Sequence, residues 1–170
     1  MNMTFVAQAS RPIQRRLIIE RHANDDFCST PCGCDPPADA LSPLGIKRAQ
    51  SLAHVLSGSG VSEAYCSDAQ RTHETLAPLK QLLGSQLAVT EFSTSTPDGP
   101  DGHIQAVVAA AAALPATAIA VAVSHSNTVG PIIQGLGGDN IAPIGESEFD
   151  RLFVLVDPRN GNKSLLQLRY

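Results

Sequence analysis

Short apolar runs recur along the chain and predict the strands of a sheet. They are rich in Val, Ile, Leu and Ala and are bounded by polar or turn-forming residues, which is typical of buried strands. The runs cover residues 16–20, 61–67, 87–92, 118–124, 151–156 and 164–168. The last two are joined by the turn-forming segment 157–162, so we expect them to pair antiparallel at one edge of the sheet.

The segment after the first run predicts an amphipathic helix. Ser42 is placed to cap this helix, Pro43 suits its first turn, and Gly58 is placed to end it. Its apolar positions recur at helical spacing and are Leu44, Ala49, Leu52, Ala53 and Leu56. We therefore expect one face of this helix to pack against the sheet.

Three further helices are expected between the remaining runs. Asp68 is predicted to cap the second helix, which ends at Gly84. The apolar positions of that helix are Leu76, Leu79, Leu82 and Leu83. After the Pro- and Gly-rich loop 96–102, an Ala-rich helix is expected over residues 103–114. A last short helix precedes residues 137–138, whose two glycines are expected to end it rather than to bind phosphate.

The alternation of strands and helices predicts an α/β fold. Its expected architecture is a three-layer αβα sandwich with a mostly parallel central sheet and an antiparallel edge strand. The composition agrees, because 43% of the residues are apolar and only 4% are aromatic, which suits an aliphatic core. At 170 residues the chain has the length of one domain. We expect this domain to span residues 1–170, with residues 1–14 flexible.

Charge and hydropathy argue against two classes of partner. Sixteen acidic residues exceed twelve basic ones, and the basic residues form no patch that predicts nucleic-acid binding. The longest apolar stretch, residues 106–123, is interrupted by Pro115 and dominated by Ala, so we expect no membrane span. Residues 1–10 lack the basic and apolar regions of a secretory signal, and a cytoplasmic protein is therefore expected.

Chemically active side chains follow three of the predicted strands. Arg21 and His22 end the first strand, Ser67 and Arg71 follow the second, and His125 follows a later one. Ligands of open α/β sheets bind beyond the carboxyl ends of the strands, so these residues are expected to converge at one edge. Arginine presents paired donors to phosphate oxygens, and a neutral imidazole can attack phosphorus. The set therefore points to phosphoryl chemistry.

Four segments resemble, in order, motifs of the histidine phosphatase superfamily, which includes phosphoglycerate mutases and small phosphohistidine phosphatases. They are residues 17–23 (LIIERHA), 41–45 (LSPLG), 65–72 (YCSDAQRT) with Thr75, and 120–127 (AVAVSHSN). The first differs from the family's Arg-His-Gly in having Ala23 in place of Gly. Each motif alone is common by chance, but four in the right order and strand context form a specific match.

The resemblance implies a phosphatase that uses no metal and no other cofactor. It implies that His22 is the nucleophile, which takes up the phosphoryl group before water hydrolyses the phosphohistidine. The implied ligands of the phosphoryl group are Arg21, Asn24, Arg71, His125 and Ser126. The implied substrate is a small phosphorylated molecule or a phosphoprotein, and the bond broken belongs to a phosphomonoester or a phosphohistidine.

The resemblance also implies a carboxylic acid that protonates the leaving oxygen, usually from the loop after the third strand. Asp98 is our first choice, because a tight loop around Pro97 and Gly99 would lean it over the edge of the sheet. The other candidates are Glu91, Asp101, His103 and Glu148.

Two other functions stay open on the sequence alone. One is a mutase, which must shield its phosphohistidine from water, and the other is a module that binds a phosphate ligand without turnover. The interval between Arg71 and His125 leaves little room for the large covering insertion that mutases of this clan carry. This shortness favours the phosphatase.

The remaining cysteines and histidines are expected to lie outside the site. Cys28, Cys32 and Cys34 crowd into one loop, but their spacing departs from that of a zinc knuckle. We expect reduced thiols there and keep two alternatives, a zinc-stabilised loop and, in an oxidising compartment, a disulfide within the loop. His54 and His73 fall off the apolar faces of their helices, so both are expected to be exposed.

Overall fold

In the part of the chain that the structure describes, six strands and four α-helices build the fold. The computed structural model describes residues 14–21, 39–158 and 162–170. In chain order the elements are β1 (Gln14–Arg21), α1 (Pro43–Ser57), β2 (Glu63–Cys66), α2 (Gln70–Leu83), β3 (Ala88–Glu91), α3 (Gly99–Ala113), β4 (Ile119–Ser124), α4 (Ser126–Gly135), β5 (Arg151–Pro158) and β6 (Ser164–Arg169). A short 3-10 turn, Gly84–Gln86, follows α2. Each strand and helix expected from the sequence is present.

All six strands belong to one sheet with the order β3-β2-β4-β1-β5-β6. The neighbours from β3 to β1 pair in parallel, whereas β5 runs antiparallel to β1, and β6 runs antiparallel to β5. The predicted α/β class with a mostly parallel sheet is confirmed. The reversed strand is β5, and β6 forms the edge beside it.

Alternate residues of the strands enter two separate apolar layers. Leu17 and Ile19 of β1 pack with α3 and α4 on one face of the sheet, and Ile18 packs with α1 and α2 on the other. Successive strand residues point to opposite faces, so this alternation places the sheet between two helical layers. Among the described helices, none is both long and apolar enough to cross a membrane.

Helix α1 begins as its sequence predicts. The Oγ of Ser42 accepts a hydrogen bond from the amide of Gly45 at 3.1 Å, which satisfies a donor of the first turn. The prediction for Leu44 is wrong, because its side chain is 48% exposed. The buried stripe of α1 starts at Gly45 instead, one position further along. Leu82 of α2 is likewise exposed, since the buried stripe of that helix passes through Leu79.

The predicted cap of α2 is also wrong. Ala69 occupies the capping position, and the carboxylate of Asp68 turns away from the helix. It accepts hydrogen bonds from Ser93 Oγ at 2.5 Å and from the amide of Thr94 at 2.9 Å. The carboxylate of Asp68 therefore binds donors from the loop after β3 and not the amides of α2. The local sequence around Asp68 gives no sign of these distant donors.

Helix α3 begins earlier than expected. It starts at Gly99, so most of the predicted loop 96–102 is its first turn. Pro100 is compatible with this position because the first turn of a helix leaves its amides unpaired. Gly99 adopts a φ of +53°, a backbone conformation that favours glycine. Gly99, Pro100 and Gly102, which predicted a loop, therefore form the first turn of α3.

The two glycines after α4 end that helix, as predicted. Gly137 has a φ of +77°, and the amide of Gly138 donates to the carbonyl of Ile133 at 2.9 Å. This is the pattern in which a left-handed residue closes the last turn. The pair lies beyond the carboxyl end of α4, so it has no part in a phosphate-binding turn.

Candidate active site

The carboxyl ends of β1, β2 and β4 meet at one edge of the sheet. Arg21, the last residue of β1, is the register partner of Ser124 in β4, and His125 follows directly. Tyr65 of β2 pairs with Ala122 of β4, which brings Ser67 to the same edge. The strand ends of three separate motifs are therefore neighbours in space.

His125 forms the junction between these strand ends. Its Nε2 lies 2.9 Å from Ser67 Oγ, and its Nδ1 lies 3.2 Å from Nη2 of Arg71. A guanidinium can only donate, so Nδ1 accepts from Arg71. In the neutral ring the hydrogen is then on Nε2, which donates to Ser67. These partners fix both the tautomer and the ring plane of His125.

Ser67 is itself held by the turn that leads into α2. Its Oγ accepts from the amide of Ala69 at 3.2 Å and lies 3.1 Å from Thr72 Oγ1. Ser67 and Thr72 are both fully buried. The hydroxyl that orients His125 is thus fixed by the backbone of β2 and α2 and not by solvent.

A second buried network supports the backbone of His125. Nδ1 of His103 lies 2.7 Å from the carbonyl oxygen of Phe92. Its Nε2 lies 2.8 Å from Ser124 Oγ. Ser124 Oγ lies 2.6 Å from Thr128 Oγ1, which accepts the amide of His125 at 3.0 Å. Because a carbonyl can only accept, His103 carries its hydrogen on Nδ1. The chain of hydrogen bonds therefore joins β3, α3 and β4 to the turn at His125.

The environment of His125 favours its neutral form. Burial, followed by the positive charge of Arg71 and then by His103, lowers the pKa of His125 to about 4, and the carboxylates of Asp39 and Asp68 oppose this effect. At neutral pH the imidazole is uncharged. It therefore accepts from Arg71 instead of repelling it.

Arg71 lies in the first turn of α2 with its guanidinium at the edge of the sheet. Its Nη2 donates to His125, and its Nη1 is paired with a carboxylate oxygen of Asp39. The Nε is buried and has no partner among the described residues. A buried donor without a described partner can bind a ligand's acceptor atom.

Asp68 ties the loop after β3 to this edge. Besides Ser93 Oγ and the amide of Thr94, its carboxylate accepts from Thr94 Oγ1 at 2.7 Å. Burial alone would raise the pKa of Asp68, but hydrogen bonds from three residues, Ser93, Thr94 and Ser95, outweigh it and hold the pKa far below its ordinary value. Asp68 is therefore ionised and anchors the loop that leads to Asp98.

The candidates for the proton donor differ in what they contact. Asp98 is exposed, stands at the start of α3 and makes no capping hydrogen bond there. His103 is 1% exposed with both ring nitrogens engaged, so the structure disfavours it as a donor to substrate. Glu91 is paired with His73 at 2.8 Å. Asp98 is thus exposed and does not cap α3, whereas His103 and Glu91 are engaged by other residues.

Glu148 belongs to a polar cluster at the start of β5. It accepts from the amide of Gly145 at 2.9 Å and pairs with Arg169 at 2.7 Å and with Arg151 at 3.5 Å. The hydrogen bond from Gly145, and then that from Arg169, lowers the pKa of Glu148. A carboxylate held ionised in this way is a poor proton donor.

Several sequence-based candidates lie outside the described residues. These are His22, Asn24 and the cysteines Cys28, Cys32 and Cys34. Of the other candidates, Arg21 is the last residue of β1, and Ser126 is the first residue of α4. The residues that sequence reasoning missed are Asp39 and the pair Ser124 and Thr128. No local pattern marks Asp39, since its partners come from α2.

The described part of the chain contains no cluster of three or more His, Cys, Asp or Glu residues that could hold a metal ion. Cys66 is fully buried, and its Sγ lies 3.8 Å from Nδ1 of His73. Burial, with the negative charge of Glu91, raises the pKa of the Cys66 thiol to about 11. Cys66 is therefore an inert core residue and not a nucleophile. His73 is largely exposed, as expected.

The fold recurs in solved structures of phosphoryl-transfer enzymes. A phosphohistidine phosphatase SixA candidate from Nakamurella multipartitia is 23% identical, with a TM-score of 0.58 over 94% of this chain and 98% of that one. A mycobacterial glucosyl-3-phosphoglycerate phosphatase is 16% identical, with a TM-score of 0.64 over 91% and 98%. A phosphoglycerate mutase from Plasmodium falciparum is 16% identical, with a TM-score of 0.60 over 91% and 90%. At these identities the likeness defines a common fold.

Part of the sequence matches a family model. Residues 17–92 match the model of the histidine phosphatase superfamily (branch 1). The match includes the end of β1 with Arg21 and the segment that carries Ser67 and Arg71. No curated protein matches the chain in sequence. Over residues 17–92 the chain is therefore similar to the histidine phosphatase superfamily.

The lowered pKa of His125 predicts a pH dependence of stability. The unfolded chain takes up a proton at this residue near its ordinary pKa of 6.5, whereas the folded chain does so only at about 4. The free energy of unfolding should therefore fall as the pH is lowered from about 6.5 toward 4. His125→Asn should remove part of this slope in urea titrations at several pH values. The exposed His54→Asn serves as the control, and an equal slope in wild type and His125→Asn would contradict the assignment.

Proposed function

We propose that this protein is a metal-independent phosphatase that forms a covalent phosphohistidine on His22. The observation that supports this most strongly is the hydrogen-bonded pair of Arg71 and His125 beside the carboxyl end of β1. His22 follows Arg21 directly in the chain. A nucleophile next to this strand end would share the edge of the sheet with the two residues best suited to hold a phosphoryl group.

The proposed ligands would neutralise the phosphoryl oxygens from several sides. Arg21 and Arg71 supply guanidinium donors, and the buried Nε of Arg71 is one such donor without a protein partner among the described residues. Ser126 begins α4, where amides at a helix start favour an anion. Asn24 adds an amide side chain. A dianionic group beside His125 would also favour its protonation at Nδ1, which turns that nitrogen into a donor.

The reaction would proceed in two displacements on phosphorus. The neutral imidazole of His22 attacks the phosphorus, an N–P bond forms, and the P–O or P–N bond to the leaving group breaks. The leaving atom receives a proton, and we assign this proton to Asp98. Water then attacks the phosphohistidine, the N–P bond breaks, and inorganic phosphate leaves with His22 restored. The fixed positive charge of the arginines stabilises the expanded phosphorus centre in both steps.

Hydrolysis is favoured over mutase chemistry by the accessibility of the site. Arg71 is 27% exposed and its partner Asp39 is 43% exposed, so water can reach the phosphoryl position. The interval from Arg71 to His125 contains the rest of α2, β3, α3 and β4. These elements belong to the sheet and its helical layers, and none forms a separate cover. A site that the interval 71–125 leaves uncovered suits a phosphoenzyme that water hydrolyses.

The proposed substrate is a small phosphorylated molecule or a phosphoprotein carrying a phosphomonoester or a phosphohistidine. Phosphohistidine phosphatases and a sugar-acid phosphatase share the fold, so both sizes of substrate are compatible with this architecture. The expectation that the protein works in the cytoplasm, as a single domain over residues 1–170, stays a prediction.

Removal of the proposed nucleophile should abolish turnover. Phosphate release from an aryl phosphate in the presence of EDTA should fall by roughly three orders of magnitude in His22→Ala. Arg71→Ala should lose about two orders, because one transition-state ligand is missing. His54→Ala, which removes an exposed histidine of α1, should match wild type. Retained turnover in His22→Ala would contradict the covalent mechanism, and loss of wild-type activity in EDTA would contradict metal independence.

Replacement of the proposed acid should affect only poor leaving groups. In Asp98→Asn, kcat for an alkyl phosphate should fall about a hundredfold, since an alkoxide needs a proton to leave. An activated nitrophenyl phosphate should be hydrolysed at nearly the wild-type rate. Asp139→Asn, at an exposed aspartate in the loop after α4, is the matched control. Equal losses on both substrates would remove Asp98 from the role of proton donor.

A further inference from the structure

Asp39 makes an ionic contact that the family motifs do not account for. It precedes α1, and its carboxylate reaches across to the start of α2. One oxygen pairs with Nη1 of Arg71, and the other accepts from the amide of Gln70 at 2.6 Å. Asp39 therefore spans the guanidinium proposed to bind phosphate and the first amide of the helix that carries it.

These two donors are of the kind that a bound oxyanion uses. Helix starts attract anions through unpaired amides, and arginine adds paired, charged donors. Ala69, at the capping position of α2, supplies no side-chain acceptor. The carboxylate of Asp39 fills this role from a distant part of the sequence. It is an anion that the chain itself places on Arg71.

The guanidinium of Arg71 has a limited number of donor positions. Nη1 is directed to Asp39 and Nη2 to His125, while the buried Nε has no described partner. The guanidinium carries five hydrogens, and an oxyanion can bind it through Nε and Nη2 or through Nη1 and Nη2. An oxyanion that binds at the Nη1–Nη2 end meets Asp39 there and competes with it for Nη1. The imidazole is fixed by Ser67, whereas Asp39 is the more exposed partner.

We propose that Asp39 is an internal competitor for Arg71, which an incoming phosphoryl group displaces. This inference rests on the proposed function, because it assumes that Arg71 binds the phosphoryl group. The carboxylate leaves for water at little cost, since it is already 43% exposed. The backbone next to it is held by Glu74, whose Oε2 accepts the amide of Leu41 at 2.6 Å. Asp39 stays close and returns when phosphate departs, so it weakens product binding as well as substrate binding.

Glu74 provides a matched control for charge. It lies one turn further along α2 and carries the same charge as Asp39. Its Oε2 accepts from the amide of Leu41, and its Oε1 accepts from Nε2 of Gln70 at 2.7 Å. Glu74→Gln removes one negative charge from the same neighbourhood and retains an acceptor for Leu41. It separates loss of local charge from loss of the competitor.

The test is direct binding of tetrahedral anions to the full chain by calorimetry. Sulfate is used as the probe because it keeps its double charge across the working pH range. Asp39→Asn should bind sulfate about fivefold more tightly than wild type, since the competing ion pair is partly exposed and modest in strength. Asp39→Ser, which retains a short acceptor for Gln70, should do the same. Glu74→Gln should stay within about twofold of wild type. Equal or weaker binding by both Asp39 variants would overturn the inference.

The charge of the probe distinguishes displacement from simple repulsion. A displaced carboxylate imposes the same cost on every anion, so perchlorate, with one charge, should gain the same factor as sulfate in Asp39→Asn. A carboxylate that stays in place repels the dianion about twice as strongly. A gain for sulfate near the square of that for perchlorate would contradict displacement.

Arg71→Ala separates this inference from the proposed function. If Arg71→Ala binds sulfate as wild type does, or if neither wild type nor the Asp39 variants bind it, Arg71 is no phosphoryl ligand and both ideas fail. If binding depends on Arg71 but is unchanged in the Asp39 variants, only the competitor role is lost.

Discussion

The bridge from Ser67 through His125 to Arg71 is the interaction on which the site depends. It joins the end of β2, the end of β4 and the first turn of α2, three places that the sheet order makes adjacent. The parallel register of β1 with β4 then adds the strand end that carries Arg21. A site assembled at strand ends inherits the rigidity of the sheet, which is what preorganised binding of a charged group requires.

The serine and the histidine of this bridge are each held by further hydrogen bonds. Ser67 is held by Thr72, and the backbone of His125 is held by Thr128, which continues through Ser124 to His103. A buried network of this kind stabilises only when it is complete. The neutral state of His125 follows from the same arrangement, because burial and Arg71 disfavour a second positive charge. As a consequence, the free energy of unfolding decreases as the pH falls below neutrality.

The local signals in the sequence predicted the elements well, and the long-range contacts much less. Alternating apolar runs located all six strands, and the cap at Ser42 was correct because it is a contact within four residues. Asp68 was misassigned because its donors come from the loop after β3, and Asp39 was missed because its partners come from α2. Helix α3 was expected too late because Pro100 suits a helix start as well as a loop. Pairings that the fold creates cannot be derived from local pattern.

The most direct test of this account is a crystal structure of the protein with tungstate, a heavy oxyanion that mimics phosphate. We predict one tungstate between Arg71 and His125, within hydrogen-bonding distance of both side chains and of His22. The other arginine pair near this edge, Arg151 and Arg169, is already neutralised by Glu148 and Asp150 and should stay unoccupied. Tungstate bound there, with Arg71 and His125 left untouched, would contradict the assignment of the active site.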